Sequence, residues 1–188
     1  MADSSPGSAP PARSFREACS LAFDEAEALG FPVFLTASGK SSPVNATPYL
    51  APWARFRAAA AAWPGRGRLV AALERLLGEA EALAAAVDFI LIGGSFTEIA
   101  GAAPNDLDCI LFYRRRDPSA RIDVQALAAL ERRGKAEGAD ARFVALDGDP
   151  AMLIKSVAYY SILYSNDKLR EPELGVRVVR ALLLIDCR

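Results

Sequence analysis

The chain has 188 residues, of which 52% are hydrophobic and 24% charged, and this composition suits one globular domain with an ordinary core. Its formal net charge of −1 argues against a broad basic surface that binds nucleic acid, although this charge is compatible with a local basic patch. The absence of histidine excludes Ser-His-Asp and Cys-His nucleophiles and histidine-ligated zinc, so any metal ion would have oxygen or thiolate ligands.

Residues 1–13 are rich in Pro, Ser, Gly and Ala and are expected to be disordered. Residues 14–86 are expected to form a helical N-terminal portion. In chain order, the predicted elements of this portion are a helix over 14–29 capped by Ser14, a short strand over 31–37, a loop over 38–51, and helices over 52–63 and 68–86.

Residues 87–188 are expected to form the core of the fold. In chain order, the predicted elements are strands over 89–92 and 107–113, a helix over 123–137, a strand over 140–146, a helix over 150–164 and a strand over 176–185. This order predicts an α/β or α+β fold in which helices pack on a small mixed β-sheet.

Two predicted strands bring a glycine turn close to a pair of carboxylates. Gly93, Gly94 and Ser95 end the first strand, and Asp106 and Asp108 stand at the start of the second. The alternation of side chains along a strand places both carboxylates on one face, where they repel each other unless a cation lies between them. The N–H groups of a glycine turn can bind phosphate. The segment therefore suggests a divalent metal ion that holds a nucleoside triphosphate.

A second aspartate pair has the same spacing and serves as an internal comparison. Asp147 and Asp149 flank a glycine directly before Pro150. In that position they are expected to form a turn and to cap the following helix. The strand context of Asp106 and Asp108, rather than their spacing, is therefore the informative signal.

The segment over 87–113 resembles the nucleotidyltransferase superfamily of DNA polymerase beta, and the chain is similar to its small uncharacterised bacterial members. The shared pattern is an apolar residue, a Gly-Gly/Ser turn, a spacer and Asp-x-Asp in the next strand. The residues that form it here are Ile92, Gly93, Gly94, Ser95, Asp106, Leu107 and Asp108. The order of strands and helices agrees with this resemblance to about residue 165.

The resemblance implies transfer of a nucleoside monophosphate group from an NTP to an acceptor, with release of pyrophosphate. In that mechanism Asp106 and Asp108 hold Mg²⁺ (or Mn²⁺), while the turn formed by Gly93, Gly94 and Ser95 binds the phosphates. Such a site requires only oxygen ligands, which the chain can supply without histidine.

The family usually adds a third carboxylate on a later strand. Asp140, at the start of the strand predicted over 140–146, is the candidate for this catalytic and metal-binding position, and Asp147 is the alternative. The resemblance implies that this third carboxylate completes a second metal position and lowers the pKa of the acceptor hydroxyl.

The sequence does not identify the acceptor, which can be a protein, an RNA or a small molecule. The three dispersed cysteines, Cys19, Cys109 and Cys187, are typical of reduced thiols in a cytoplasmic protein. No apolar stretch is long enough to cross a membrane, so no membrane partner is expected.

The alternative function is a non-catalytic binding or regulatory module, such as a toxin–antitoxin or defence partner. Its helices over 52–86 would then form an interface with another protein or with a second copy of the chain.

Overall fold

The computed structural model describes residues 14–35, 42–117, 119, 121–166 and 179–188. The helices in these parts of the chain are α1 (Phe15–Ala28), α2 (Trp53–Ala62), α3 (Gly67–Ala82), α4 (Val124–Ala136) and α5 (Pro150–Ser165), together with a 3₁₀ turn (Gly94–Thr97). The strands are β1 (Tyr49–Pro52), β2 (Ala85–Gly93), β3 (Leu107–Arg115), β4 (Ala139–Ala145) and β5 (Leu183–Asp186). The predicted α+β class with a small mixed sheet is confirmed.

The five strands form one sheet in the order β1-β5-β2-β3-β4. β2 is antiparallel to both of its neighbours, whereas β3 pairs with β4, and β1 with β5, in parallel. Helix α4 provides the long crossover that parallel pairing of β3 and β4 requires. β2 and β3 are central strands of the sheet, and helices on its two faces cover their apolar sequences.

Side-chain caps explain where three of the helices begin. Ser14 and Glu17 form a reciprocal capping box at the start of α1. Asp123 accepts hydrogen bonds from two backbone N–H groups in the first turn of α4. Asp149 accepts from the N–H of Ala151 at the start of α5, and Pro150 occupies the first helical position. The helix-capping role predicted for the Asp147–Asp149 pair is therefore confirmed for Asp149.

The main hydrophobic core lies between one face of the sheet and helices α1 to α4. Five aromatic rings connect α1 and α2 to the 3₁₀ turn, with neighbouring ring centroids 5.3–6.1 Å apart. These residues are Phe23, Phe31, Phe56, Trp63 and Phe96. The two ranges divided at residue 86 in the sequence prediction thus share one core, and β1 brings the N-terminal range into the sheet.

The opposite face of the sheet is covered by α5 over a smaller apolar cluster. The buried members of this cluster are Leu91, Ile110, Phe112, Tyr164 and Leu182. Within the described residues, no helix is long and apolar enough to cross a membrane.

Several predicted boundaries are wrong. The loop expected over 38–51 contains β1, and the strand expected over 31–37 is reduced among residues 31–35 to one bridge between Phe34 and Ala46. The helix expected over 68–86 ends at Ala82, because Ala84 has a positive φ of 62° and β2 begins at the next residue. β5 begins at Leu183, later than the strand expected over 176–185. Residues 1–13, 36–41 and 167–178 lie outside the described parts.

Candidate functional site

Strand register brings the predicted acidic residues together at one end of the sheet. Asp108 in β3 pairs with Gly93 of β2 on one side and with Asp140 of β4 on the other. Paired residues of neighbouring strands direct their side chains to the same face, so Asp108 and Asp140 lie side by side. Asp106 directly precedes β3, two residues from Asp108.

The pKa of the Asp108 carboxyl group is raised well above its ordinary value. Burial, followed by the negative charges of Asp106 and Asp140, raises its pKa from 3.8 to about 6, and Lys135 and Arg180 act in the opposite direction. Across the described residues, neither Asp106 nor Asp108 forms a side-chain hydrogen bond or an ion pair. These two carboxylates are therefore close together and have no direct partner, and Asp108 is half-buried whereas Asp106 is exposed.

The glycine turn touches this carboxylate pair. Gly94 has a positive φ of 66°, and a Cβ atom there would collide with Oδ2 of Asp108. On the α5 side, a Cβ atom on Gly93 would lie 2.6 Å from the Cβ of Tyr164. Both glycines are thus required by close approach, one to the aspartate and one to the helix.

Ser95 lies in the first part of the 3₁₀ turn and is half-buried. Its carbonyl accepts a hydrogen bond from Arg66, but its hydroxyl has no partner among the residues that the structure describes. The first N–H groups of such a turn also have no acceptor within it. The Ser95 hydroxyl is therefore a potential hydrogen-bond donor in the turn that touches Asp108.

The turn is held in place by the buried guanidinium of Arg66, which sequence reasoning missed. Its nitrogens donate hydrogen bonds to the carbonyls of Phe96 (2.7 Å), Glu98 (2.6 Å) and Pro64 (2.9 Å). Burial lowers the pKa of Arg66, and the negative charge of Glu98 opposes this shift. The only local sequence signal is an arginine between two glycines at the break between α2 and α3.

Arg180 is a second residue at the site that sequence reasoning missed. Its Nε atom lies 2.8 Å from Oε1 of Glu98, and its charge lowers the pKa of Asp108. The backbone nearby is fixed by Thr97, whose hydroxyl lies 2.9 Å from the carbonyl of Ala181. A guanidinium on this side of the glycine turn adds positive charge where phosphates would bind.

Asp140 differs from the other two aspartates because cations already contact it. Lys135 Nζ lies 2.6 Å from Oδ2, and Arg142 Nη1 lies 2.9 Å from Oδ1. The guanidinium of Arg142 is directed at the carbonyl of Ala141, however, and the buried Oδ1 accepts no hydrogen bond from a described residue. Asp140 is thus neutralised by ion pairs while one of its oxygens keeps unused hydrogen-bonding capacity.

The alternative third carboxylate, Asp147, lies beyond the opposite end of β4. It accepts a hydrogen bond of 2.8 Å from Nε of Arg115, and this interaction lowers its pKa. The register that joins Asp108 to Asp140 therefore separates Asp147 from the glycine turn.

The donor atoms of Asp106 and Asp108 fit a hard divalent cation such as Mg²⁺. Within the described parts of the chain, no three Asp, Glu, Cys or His side chains are arranged to hold one metal ion. Mg²⁺ is commonly bound through one or two carboxylates together with phosphate oxygens of the substrate, so a two-carboxylate site matches this mode. Burial and the charges of Asp106 and Asp140 raise the pKa of Asp108 despite the opposing charges of Lys135 and Arg180, so a cation bound at this position would be favourable.

Replacing Asp108 by Asn tests the electrostatics of the cluster. A folded-state pKa of about 6, above the ordinary 3.8, means that protonated Asp108 favours folding at low pH. This contribution is complete below about pH 4 and is lost as the pH rises through about 6. We expect Asp108→Asn to raise the free energy of unfolding by about 2 kcal/mol at about pH 7.5 and to change it little at about pH 4.

Urea unfolding at the two pH values measures this difference. Glu25→Gln, which neutralises an exposed carboxylate outside the site, is the control and should have little effect at either pH. Equal destabilisation by Asp108→Asn at both pH values would contradict a buried and repelled carboxylate.

Replacing Arg66 by Met tests the anchor of the glycine turn. The substitution leaves buried carbonyls without donors, and we expect the free energy of unfolding to fall by roughly 3 kcal/mol or more. Arg66→Lys should not restore the loss, because one ammonium cannot reproduce the fork of donors. The exposed Arg68, changed to Met, is the matched control. Hydrogen exchange should accelerate over residues 94–98 in the Arg66 variants, and unchanged exchange there would rule out the anchoring role.

Comparison with known proteins identifies one family. Neither curated proteins nor solved structures give a match to the chain. The model of a family of unknown function, DUF6932, matches residues 32–178, which is more than half of the 188 residues. The matched range contains the glycine turn and all three aspartates of the site. The chain therefore belongs to this family of unknown function, DUF6932.

Proposed function

We propose that this protein is a divalent-cation-dependent nucleotidyltransferase that moves a nucleoside monophosphate group from an NTP to an acceptor hydroxyl. The observation that carries the proposal is the contact between the glycine turn and the carboxylate pair. Gly94 lies against Asp108, which in turn lies between Gly93 and Asp140 in the sheet. The turn proposed to bind phosphate and the aspartates proposed to bind the cation are therefore neighbours.

Asp106 and Asp108 would hold the cation, Mg²⁺ or Mn²⁺. Their carboxylates have no direct partner among the described residues, and each is negatively charged when ionised. A cation bound there would neutralise phosphate charge and polarise the phosphorus that is attacked.

The glycine turn would hold the terminal phosphates. The N–H of Gly94 and the hydroxyl of Ser95 are the donors, and Gly93 allows the turn to pack against Tyr164. Arg180 supplies positive charge near the same carboxylates. This division of roles fits pyrophosphate as the leaving group, since these donors would contact the phosphates that depart.

Asp140 would lie on the acceptor side. Its side chain faces the same side of the sheet as Asp108, and its Oδ1 atom has no hydrogen-bond donor among the described residues. Oδ1 itself is buried, so an acceptor hydroxyl would approach the exposed part of this carboxylate and donate its proton there as it attacks the phosphorus. The three cysteines are free, which supports a reaction in the reducing cytoplasm.

The decisive variant changes both cation ligands, Asp106→Asn together with Asp108→Asn. We expect Mn²⁺-dependent binding of an NTP to weaken at least about tenfold and pyrophosphate release to be abolished, because the two amides remove the charge that holds the cation. Calorimetry with a non-hydrolysable NTP and an assay for released pyrophosphate measure the two quantities.

The chain offers a matched control in its second aspartate pair. Asp147→Asn together with Asp149→Asn makes the same chemical change at the same spacing, outside the site. Asn is also an effective N-cap, so α5 keeps its capping residue. Nucleotidyl transfer is contradicted if the Asp106/Asp108 variant and this control bind NTP equally well.

A binding or regulatory module is the second candidate function, and the outer face of α5 favours it. Apart from Lys155 this helix has no charged residue, yet several of its large apolar side chains are exposed: Met152, Ile154, Val157, Tyr159 and Ile162. The apolar residues of α3, expected from sequence to serve an interface, are instead largely buried in the core. An exposed apolar helix face of this kind is typical of protein–protein contacts.

Replacing Ile154 and Ile162 by Ser tests this surface. Their side chains are 69% and 58% exposed, so the double variant should keep its fold. If α5 binds a second copy of the chain, sedimentation should show concentration-dependent association that the variant lacks and that Val124→Ser, an exposed residue of α4, retains. Association that is identical in all three proteins would remove α5 as the interface.

A further inference from the structure

The third carboxylate of the site is surrounded by cations from this chain. Lys135 comes from the last turn of α4 and Arg142 from β4 itself. The ammonium of Lys135 lies 2.6 Å from Oδ2 of Asp140, within the range of a charge-assisted hydrogen bond. The other two aspartates have no such contact among the described residues.

The connection between α4 and β4 fixes Lys135 in this position. Only Glu137 and Gly138 separate the end of the helix from the strand, and Gly138 has a positive φ of 96°. A Cβ on Gly138 would lie 2.7 Å from Leu69, so the backbone turns tightly against α3. The last turn of α4 therefore lies directly beside the first residues of β4.

The charge of Lys135 extends beyond its direct partner. It lowers the pKa of Asp108 as well as contacting Asp140, so the ammonium lies within electrostatic reach of both carboxylates. The side chain of Asp140 is only 16% exposed, and the ammonium of Lys135 contacts its Oδ2 atom directly. Lys135 belongs to the chain itself, whereas a dissociable metal ion would contact Asp140 only when bound.

We propose that this site binds one divalent cation, on Asp106 and Asp108, and that the ammonium of Lys135 occupies the position beside Asp140 where a second cation would bind. The inference rests on the proposed function and specifies its cation requirement. It makes Lys135 a positioning residue that holds the Asp140 carboxylate in place and keeps a positive charge on the acceptor side. A metal ion could bind to Asp140 only by displacing this ammonium.

The number of bound Mn²⁺ ions per chain tests the inference. The full chain is titrated with Mn²⁺ in the presence of a non-hydrolysable NTP and followed by calorimetry and electron paramagnetic resonance, which distinguishes isolated ions from spin-coupled pairs. We expect one isolated Mn²⁺ per chain in the natural sequence. Lys135→Met should increase the number to two and produce the spectrum of a coupled pair, because it frees Oδ2 of Asp140.

Two further variants complete the test. Lys135→Arg keeps the positive charge and should keep one Mn²⁺ per chain, and Lys155→Met removes an exposed lysine of α5 and should behave like the natural sequence. The side chain of Lys135 is itself 61% exposed, so its substitution should leave the fold intact.

Each outcome separates this inference from the proposed function. Two coupled Mn²⁺ ions in the natural sequence, or a single ion in Lys135→Met with unchanged affinity, would overturn the role of Lys135 while leaving nucleotidyl transfer in place. No Mn²⁺ binding to the natural sequence would overturn both.

Discussion

A single buried guanidinium holds together the parts of the molecule that form the site. Arg66 stands between α2 and α3, and its nitrogens bind carbonyls on both sides of it, from Pro64 and from the 3₁₀ turn after β2. Because the guanidinium is buried, every donor that loses its carbonyl would remain unpaired. Moving the turn away from Arg66 would therefore cost free energy. The aromatic cluster around Phe96 adds a packed apolar contact to the same connection. The N-terminal helices are consequently part of the framework of the site rather than an appendage to it.

The position of the turn brings it against Asp108, which lies close to two other carboxylates. Of the three aspartates, only Asp140 forms direct ion pairs. Gly94 approaches Asp108 so closely that no side chain fits between them, and burial with Asp106 and Asp140 raises the pKa of Asp108 to about 6. Near Asp140, Lys135 and Arg142 supply positive charge. The carboxylate of Asp106 forms no ion pair or side-chain hydrogen bond with a described residue. This asymmetry explains why we propose a divalent cation on the Asp106 side and a permanent ammonium on the Asp140 side.

The sequence predicted the parts of this arrangement that depend on local patterns. The apolar runs around Ile92 and Ile110 predicted the central strands. The position of Asp140 at the start of the next predicted strand indicated that it lies beside Asp108. Strand β1 was missed because its four residues pair with β5, more than a hundred residues away. Arg66 and Arg180 lie in irregular segments, and arginine is a common residue type. No helix or strand periodicity therefore marks these two residues as part of the site. The ion pair between Lys135 and Asp140 depends on the tight turn at Gly138, which strand and helix patterns do not specify.

A crystal structure of the chain with Mn²⁺ and a non-hydrolysable NTP, with anomalous diffraction measured at the manganese absorption edge, tests the central claim most directly. We expect an anomalous peak bound by the carboxylates of Asp106 and Asp108. We also expect triphosphate oxygens within hydrogen-bonding distance of Ser95 Oγ and the N–H of Gly94. An NTP bound elsewhere on the chain, or a glycine turn that contacts no phosphate when nucleotide is present, would contradict it.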